Sequence, residues 1–227
     1  MTDQTRTLAD RVIANYRAPQ PSVREAQWRQ VRTAVARALS TRPNDSALRA
    51  TLRYCEGHIH RIDGEARKAR RLNAEAQREF AEAVAAFREA AELRDDWPDP
   101  YLGLARTFIY GLDDVDRAAD ALRRAERAGY VPGNREAAQL GDGYRSRADA
   151  LARSARDVVG LAQEREYLTR AAEMYRQAID QYSRAADYEG VAKNIGLAQR
   201  GLNTIERRLV AVSSPSSSGA TEEKLWQ

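Results

Sequence analysis

The sequence predicts an all-α fold, and three observations carry that reading. Hydrophobic residues are 43% of the 227, enough for a continuous core. Alanine and arginine dominate, while the 13 glycines and 7 prolines fall mostly between periodic segments, a balance that favours helix over strand. A small-large-small order recurs at helical spacing, in Ala83, Phe87 and Ala90 and again in Ala118, Leu122 and Ala125. Small residues on one helix admit large ones from its neighbour.

The elements follow in chain order. Residues 3–17 predict a first helix, with Leu8, Val12, Ile13 and Tyr16 on one face. Ala18-Pro19-Gln20-Pro21 breaks it. Ser22 reads as an N-cap, with Glu25 completing a capping box. The helix that follows carries Trp28, Val31, Val35, Ala38 and Leu39 as its stripe and stops before Pro43. Asp45 or Ser46 caps the next helix, on which Leu48, Leu52, Cys55, Ile59 and Ile62 face one way. Asp63-Gly64 reads as a turn. Glu65 to Leu93 contains no proline or glycine and predicts one helix of roughly eight turns, well beyond the usual length. Trp97-Pro98-Asp99-Pro100 is a connector. Helices at 99–111 and 115–129 follow, the second closed by Gly129, then a hairpin from Asn134 with its turn between Asp157 and Gln163 around Gly160. A last helix at 188–210 turns Val191, Ile195, Ala198, Leu202, Ile205 and Leu209 inward. The organisation is therefore an N-terminal helix and linker (1–21), a helical-repeat domain (22–212) and a serine-rich tail (213–227) that ends in Lys224-Leu225-Trp226-Gln227.

Tyr101, Leu104, Ala105 and Phe108, followed by Ala118, Leu122 and Ala125, and later Leu140, Gly141 and Tyr144 with Ala171, Tyr175 and Ala178, resemble the tetratricopeptide (TPR) repeat pattern, a helix pair of ~34 residues. The match is good over 81–144 and 168–179 and weak over 22–80 and 185–210. The resemblance implies a right-handed superhelical stack of antiparallel helix hairpins that binds other proteins rather than housing a reaction. Leu52 and Ala83 are separated by 31 residues, and Gly141 and Ala171 by 30, where the family places about 12. Two pairs with unusually long helices thus flank an ordinary one, whose turn near Leu112 to Val115 has one residue too many. In the family, the first helix of each pair lines the groove. Carried over, this places Arg49, Arg53, Arg106, Tyr110, Arg135, Asp142, Arg145, Lys193 and Arg200 on the inner surface, a basic excess suited to an acidic or carboxylate-bearing partner. The lysine-and-asparagine clamp that some members use for C-terminal carboxylates is not spelled out. The same arginines also serve solubility.

Other chemistry is poorly represented. Cys55 and His58 share a helical face and His60 points elsewhere; two ligands do not make a zinc site, and they read as a buried thiol beside surface imidazoles. No metal or cofactor is expected. No glycine-framed nucleophile lies beside either histidine, and no phosphate-binding loop appears. Gly141-Asp142-Gly143-Tyr144 falls within a helical pattern, where small residues permit close packing. Arg67, Lys68, Arg70 and Arg71 form the densest basic cluster, diluted by Glu65, Glu75 and Glu79 and lacking interleaved aromatics to stack bases. With 37 basic and 33 acidic residues, net charge alone does not imply nucleic acid. No apolar run reaches the ~18 residues of a membrane span. Met1 to Asp10 lacks a signal-peptide pattern, and a lone cysteine makes no internal disulfide. These features predict a reduced, cytoplasmic location. The expected function is a non-catalytic scaffold or adaptor for an acidic peptide or protein. The alternatives are a regulatory or sensor region of a larger bacterial signalling protein, and nucleic-acid binding through the basic long helix.

Overall fold

The computed structural model describes residues 3–18 and 20–213. Among them lie α1 (Asp3–Arg17), α2 (Glu25–Thr41), α3 (Ser46–Ala69), α4 (Asn73–Leu93), α5 (Asp99–Arg106), a π segment (Thr107–Gly111) that continues α5, α6 (Val115–Arg127), α7 (Asn134–Asp157), α8 (Ala162–Arg184) and α9 (Val191–Ser213). Each helix packs on the next; the π segment also meets α3 and α7, and α7 meets α9. The pairs α3–α4 (24 and 21 residues) and α7–α8 (24 and 23) are long, whereas α6 has 13. The serine-rich tail beyond Ser213, with Trp226, lies outside the described residues.

Several boundaries correct the sequence reading. The eight-turn helix is broken: the chain turns at Arg70 to Leu72, where the amide of Leu72 donates to the carbonyl of Arg67 and that of Arg71 to Lys68. This double closure ordinarily recruits glycine at its left-handed position. Here Arg71 takes it, at φ 62°, so no glycine marks the turn. The same closure ends α6, where Gly129 sits at φ 85° and Tyr130 donates back to Ala125. Asp63-Gly64 is not a turn but lies within α3. Ser22 does not cap α2, which starts at Glu25 with the amide of Arg24 donating to Gln27 Oε1 (2.8 Å). Asp45 does cap α3, accepting from the amide of Leu48 (3.0 Å). The turn around Gly160 falls where the sequence placed it, and α9 starts and ends three residues later than the predicted span.

Two rings set the spacing of the first half. Phe87 on α4 is pressed between Gly57 and Gly103, where an added Cβ would lie 2.6 Å from ring carbons on either side. Phe80, seven residues earlier, is held in the same way between Gly64 and Gly111. Gly57 and Gly64 are also seven apart, but Gly103 and Gly111 are eight. The π segment absorbs that extra residue: Leu112 donates to the carbonyl of Thr107, five residues back, and Gly111 is brought level with Phe80. The extra residue expected in the 112–115 turn therefore sits inside the preceding helix. The carbonyls that end the segment are taken up by Lys68, whose Nζ donates to Tyr110 O (2.8 Å) and Gly111 O (3.2 Å).

Buried apolar residues form two clusters, one from Ala9 to Ala125 and one from Ala138 to Ile205. Between them Gly143 on α7 lies close enough to Val115 that a Cβ would come within 2.9 Å of Val115 Cγ2. The residue pair Gly141 and Gly143 thus has a packing role, with the ring of Tyr182 over Gly141.

Candidate functional site

Four of the nine residues assigned to the inner surface join in one polar seam. It starts on α3, where Arg61 Nη1 donates to Glu65 Oε1 (2.7 Å), and Glu65 also faces Arg106 Nε (3.5 Å). The Arg106 guanidinium lies 5.5 Å from the centre of the Tyr110 ring, within cation–π range. Tyr110 Oη donates to Asp142 Oδ2 (2.9 Å). Asp142 Oδ1 accepts from Tyr182 Oη (2.7 Å) and from Asn194 Nδ2 (3.2 Å). Arg145 Nε donates to Tyr182 Oη (3.2 Å), and Arg145 Nη1 pairs with Asp149 (3.3 Å), which also accepts from Tyr175 Oη (2.5 Å). The seam crosses α3, α5, the π segment, α7, α8 and α9. Burial first, and Asp142 second, raise the Tyr110 phenol above its ordinary range; burial and the hydrogen bond to Asp142 do the same to Tyr182. Both phenols remain donors at neutral pH.

The other five predicted residues lie elsewhere. Arg53 pairs with Glu56 (2.8 Å) and with Glu89 on α4 (2.7 Å); Glu56 also pairs with Arg32 on α2. Arg53 is thus spent between α2 and α4, and Arg49 is exposed beside it on α3. The Arg53 guanidinium holds the Glu89 carboxyl below its usual range. Arg135 is not on an open surface: it is 6% exposed, because it pairs with Glu136 and donates to the carbonyls of Tyr16 (2.5 Å) and Ala18 (3.0 Å). Lys193 and Arg200 are exposed on α9. The expected basic excess is balanced within the seam, since Arg61, Arg106 and Arg145 face Glu65, Asp142 and Asp149. The sequence reading missed Arg61, Glu65, Asp149, Tyr175 (read as core alone), Tyr182 and Asn194. The spacing of Arg61 and Glu65 one helical turn apart was the available signal for the first two.

The second basic patch separates into two roles. Arg67 pairs with Glu75 (2.7 Å) and Glu79 (3.2 Å), and Lys68 is engaged with the π segment and Asp113 (3.0 Å). Arg70 and Arg71 are exposed at the α3–α4 turn.

His58 overturns the surface-imidazole expectation. It is fully buried, stacked on Trp28 (4.0 Å between centres) and edge-on to Tyr16, Tyr54 and Phe87. Its Nδ1 lies 3.5 Å from Arg61 Nη2. Trp28 Nε1, Tyr54 Oη, His58 Nε2 and Arg61 Nε are buried without a hydrogen-bond partner among the described residues. Burial, then the charges of Arg61 and Arg106, hold the His58 imidazole well below its ordinary pKa. A folded pKa below the unfolded value of about 6.5 gives stability that is fully present above pH 6.5 and lost as pH falls. We expect the stability contributed by His58 to fall by ~1.4 kcal/mol per pH unit below 6.5. Urea unfolding from pH 7.5 to 5 measures it, and His58→Phe should remove this component of the slope. Cys55 is buried beside it, its thiol pushed up by burial and thus kept from the thiolate form. No group of three or more metal-ligating side chains occurs among the described residues, and no described helix is long and apolar enough to cross a membrane.

Comparison of the chain with protein-family models, curated proteins and solved structures finds no match.

Proposed function

We propose that the chain is a non-catalytic interaction scaffold of tetratricopeptide type, with α3–α4, α5–α6 and α7–α8 as its hairpins and α9 as the closing helix, and that it binds an acidic peptide or protein segment along the seam. The observation that carries the reading is the placement of Arg106, Tyr110, Asp142 and Arg145, four residues assigned by repeat position, in one continuous network. Arg106 and Arg145 are partly exposed, at 30% and 28% of their side chains. Each guanidinium has five N–H donors, more than its present bonds use. A partner carboxylate takes the remaining donors or displaces Glu65 and Asp149, gaining charge-assisted bonds in a preformed site. The engagement of Arg67 and Lys68 within the fold weighs against nucleic acid, which needs free basic groups along a backbone.

Charge reversal tests this. A panel of acidic peptides, titrated against wild type and Arg106→Glu/Arg145→Glu with circular dichroism as folding control, is expected to lose ~1.5–3 kcal/mol per guanidinium bond. Equal affinity of a folded double variant for every peptide that wild type binds removes the seam as the recognition surface.

A further inference from the structure

We propose that Asp99, Arg135 and the rings of Trp28 and His58 form a second peptide-binding site, specific for an aromatic residue followed by arginine in a partner protein, and that Tyr16, Arg17 and Ala18 occupy it in cis. The inference does not rest on the seam, because its determinants lie outside Arg106 and Arg145.

The receptor half is built into the fold. Asp99 opens α5 and its side chain is fully buried, while Arg135, on the first turn of α7, is 7% exposed at the side chain. A carboxylate and a guanidinium buried this deeply are costly without partners. Glu136 pairs with Arg135 from the same helix (2.7 Å), and the other partners come from α1 and the residue after it. Arg17 Nε donates to Asp99 Oδ1 (2.7 Å) and Nη2 to Oδ2 (2.5 Å), a two-pronged fork that selects arginine over lysine. The guanidinium of Arg135 reads main chain instead, taking the carbonyls of Tyr16 and Ala18, and lies 5.5 Å from the centre of the Tyr16 ring. That ring is edge-on to Trp28 (5.7 Å) and His58 (4.4 Å). Side chain, main chain and side chain are each recognised by a different group, as in a peptide complex.

The occupant is held as a ligand is held. Arg17 remains 43% exposed over its buried partner, so solvent reaches the fork from outside. α1 buries Ala9, Val12 and Tyr16 but is only partly seated. A cleft of about 620 Å³ lies between Arg6, Asp10 and Ile13 on one side and Leu48, Thr51 and Trp97 on the other. Between α1 and α2 the described residues, 18 and 20–24, belong to no helix. A segment whose polar contacts gather at its last turn and which is flanked by a cleft can be exchanged for a competing segment that makes the same three contacts.

The test uses the full chain and a labelled synthetic peptide of residues 3–21 as the probe. Wild type, with the site filled in cis, is expected to bind the probe weakly. Arg17→Ala, which loses the fork, should bind it at least tenfold more tightly and should show fast hydrogen exchange in α1. Adding Asp99→Asn to Arg17→Ala, or replacing arginine by lysine in the probe, should cost at least tenfold. If Arg17→Ala loses helicity, Arg17→Lys takes its place, since it keeps a cation beside Asp99 and removes only the fork. The proposal is overturned by α1 amides that stay as protected in the variant as in wild type. It is equally overturned by a freed α1 with no probe binding, or by binding indifferent to Asp99. Loss of acidic-peptide binding in Arg106→Glu/Arg145→Glu leaves this result untouched, and the reverse also holds.

Discussion

Phe87→Ala lowers the stability of the chain by ~3–5 kcal/mol, the range for emptying a well-packed phenylalanine site. The upper part of that range is expected, because the site cannot collapse. Gly57 and Gly103 face the ring from either side, and neither has a side chain to move into the space. Tyr54 and His58, with ring centres 5.8 and 5.0 Å from Phe87, lose their contact with it, and His58 is already buried without a bond at Nε2. Urea unfolding measures the loss. A midpoint equal to that of wild type would contradict the packing described for α3, α4 and α5.

Asp142→Ala is expected to cost about 3 kcal/mol, less than the sum of three bonds to a charged acceptor, since water reaches the partly exposed Tyr110 and Asn194 although not the buried Tyr182. Tyr110, Tyr182 and Asn194 all lose their acceptor together. The variant carries an optical signature that a merely loosened helix would not. With Asp142 gone, one of the two leading causes that raise the Tyr110 and Tyr182 phenols disappears, and both should titrate at lower pH. An ultraviolet alkaline titration of wild type, Asp142→Asn and Asp142→Ala reads this directly. An unchanged tyrosine titration together with unchanged stability would show that Asp142 does not tie the seam.

Much of the helix pattern was legible because it is local. Leu8, Val12 and Tyr16 mark α1, Asp45 caps α3, and Gly160 sits in the α7–α8 turn. The α3–α4 break was not legible, because its left-handed position is held by Arg71, a residue that usually argues for helix. Gly64 misled in the opposite sense: its glycine serves the Phe80 ring rather than a turn. In the site, Arg106 and Tyr110 were readable as one turn of a helix, and Asp142 and Arg145 by repeat position. Their partners were not, since Glu65, Tyr182 and Asn194 reach the seam from helices whose approach only tertiary packing sets. The ion pair of Arg53 was not legible for the same reason, since Glu89 lies on a different helix. His58 was the avoidable miss, for it lies four residues from Tyr54 and three from Cys55, on the face that packs inward.

The division of the apolar residues into two clusters has a mechanical consequence. Across the junction run the close approach of Gly143 to Val115, the hydrogen bond from Tyr110 to Asp142, the ion pair of Arg147 with Asp116, the bonds from Arg135 to the carbonyls of Tyr16 and Ala18, and the packing of Leu140 on the first cluster. Polar contacts of this kind reform at small cost after a change of angle, whereas interlocked rings such as Phe80 and Phe87 do not. The two clusters are therefore joined by polar as well as apolar contacts. Arg106 stands on the side of the first cluster and Arg145 on that of the second, so a ligand that grips both bridges the junction.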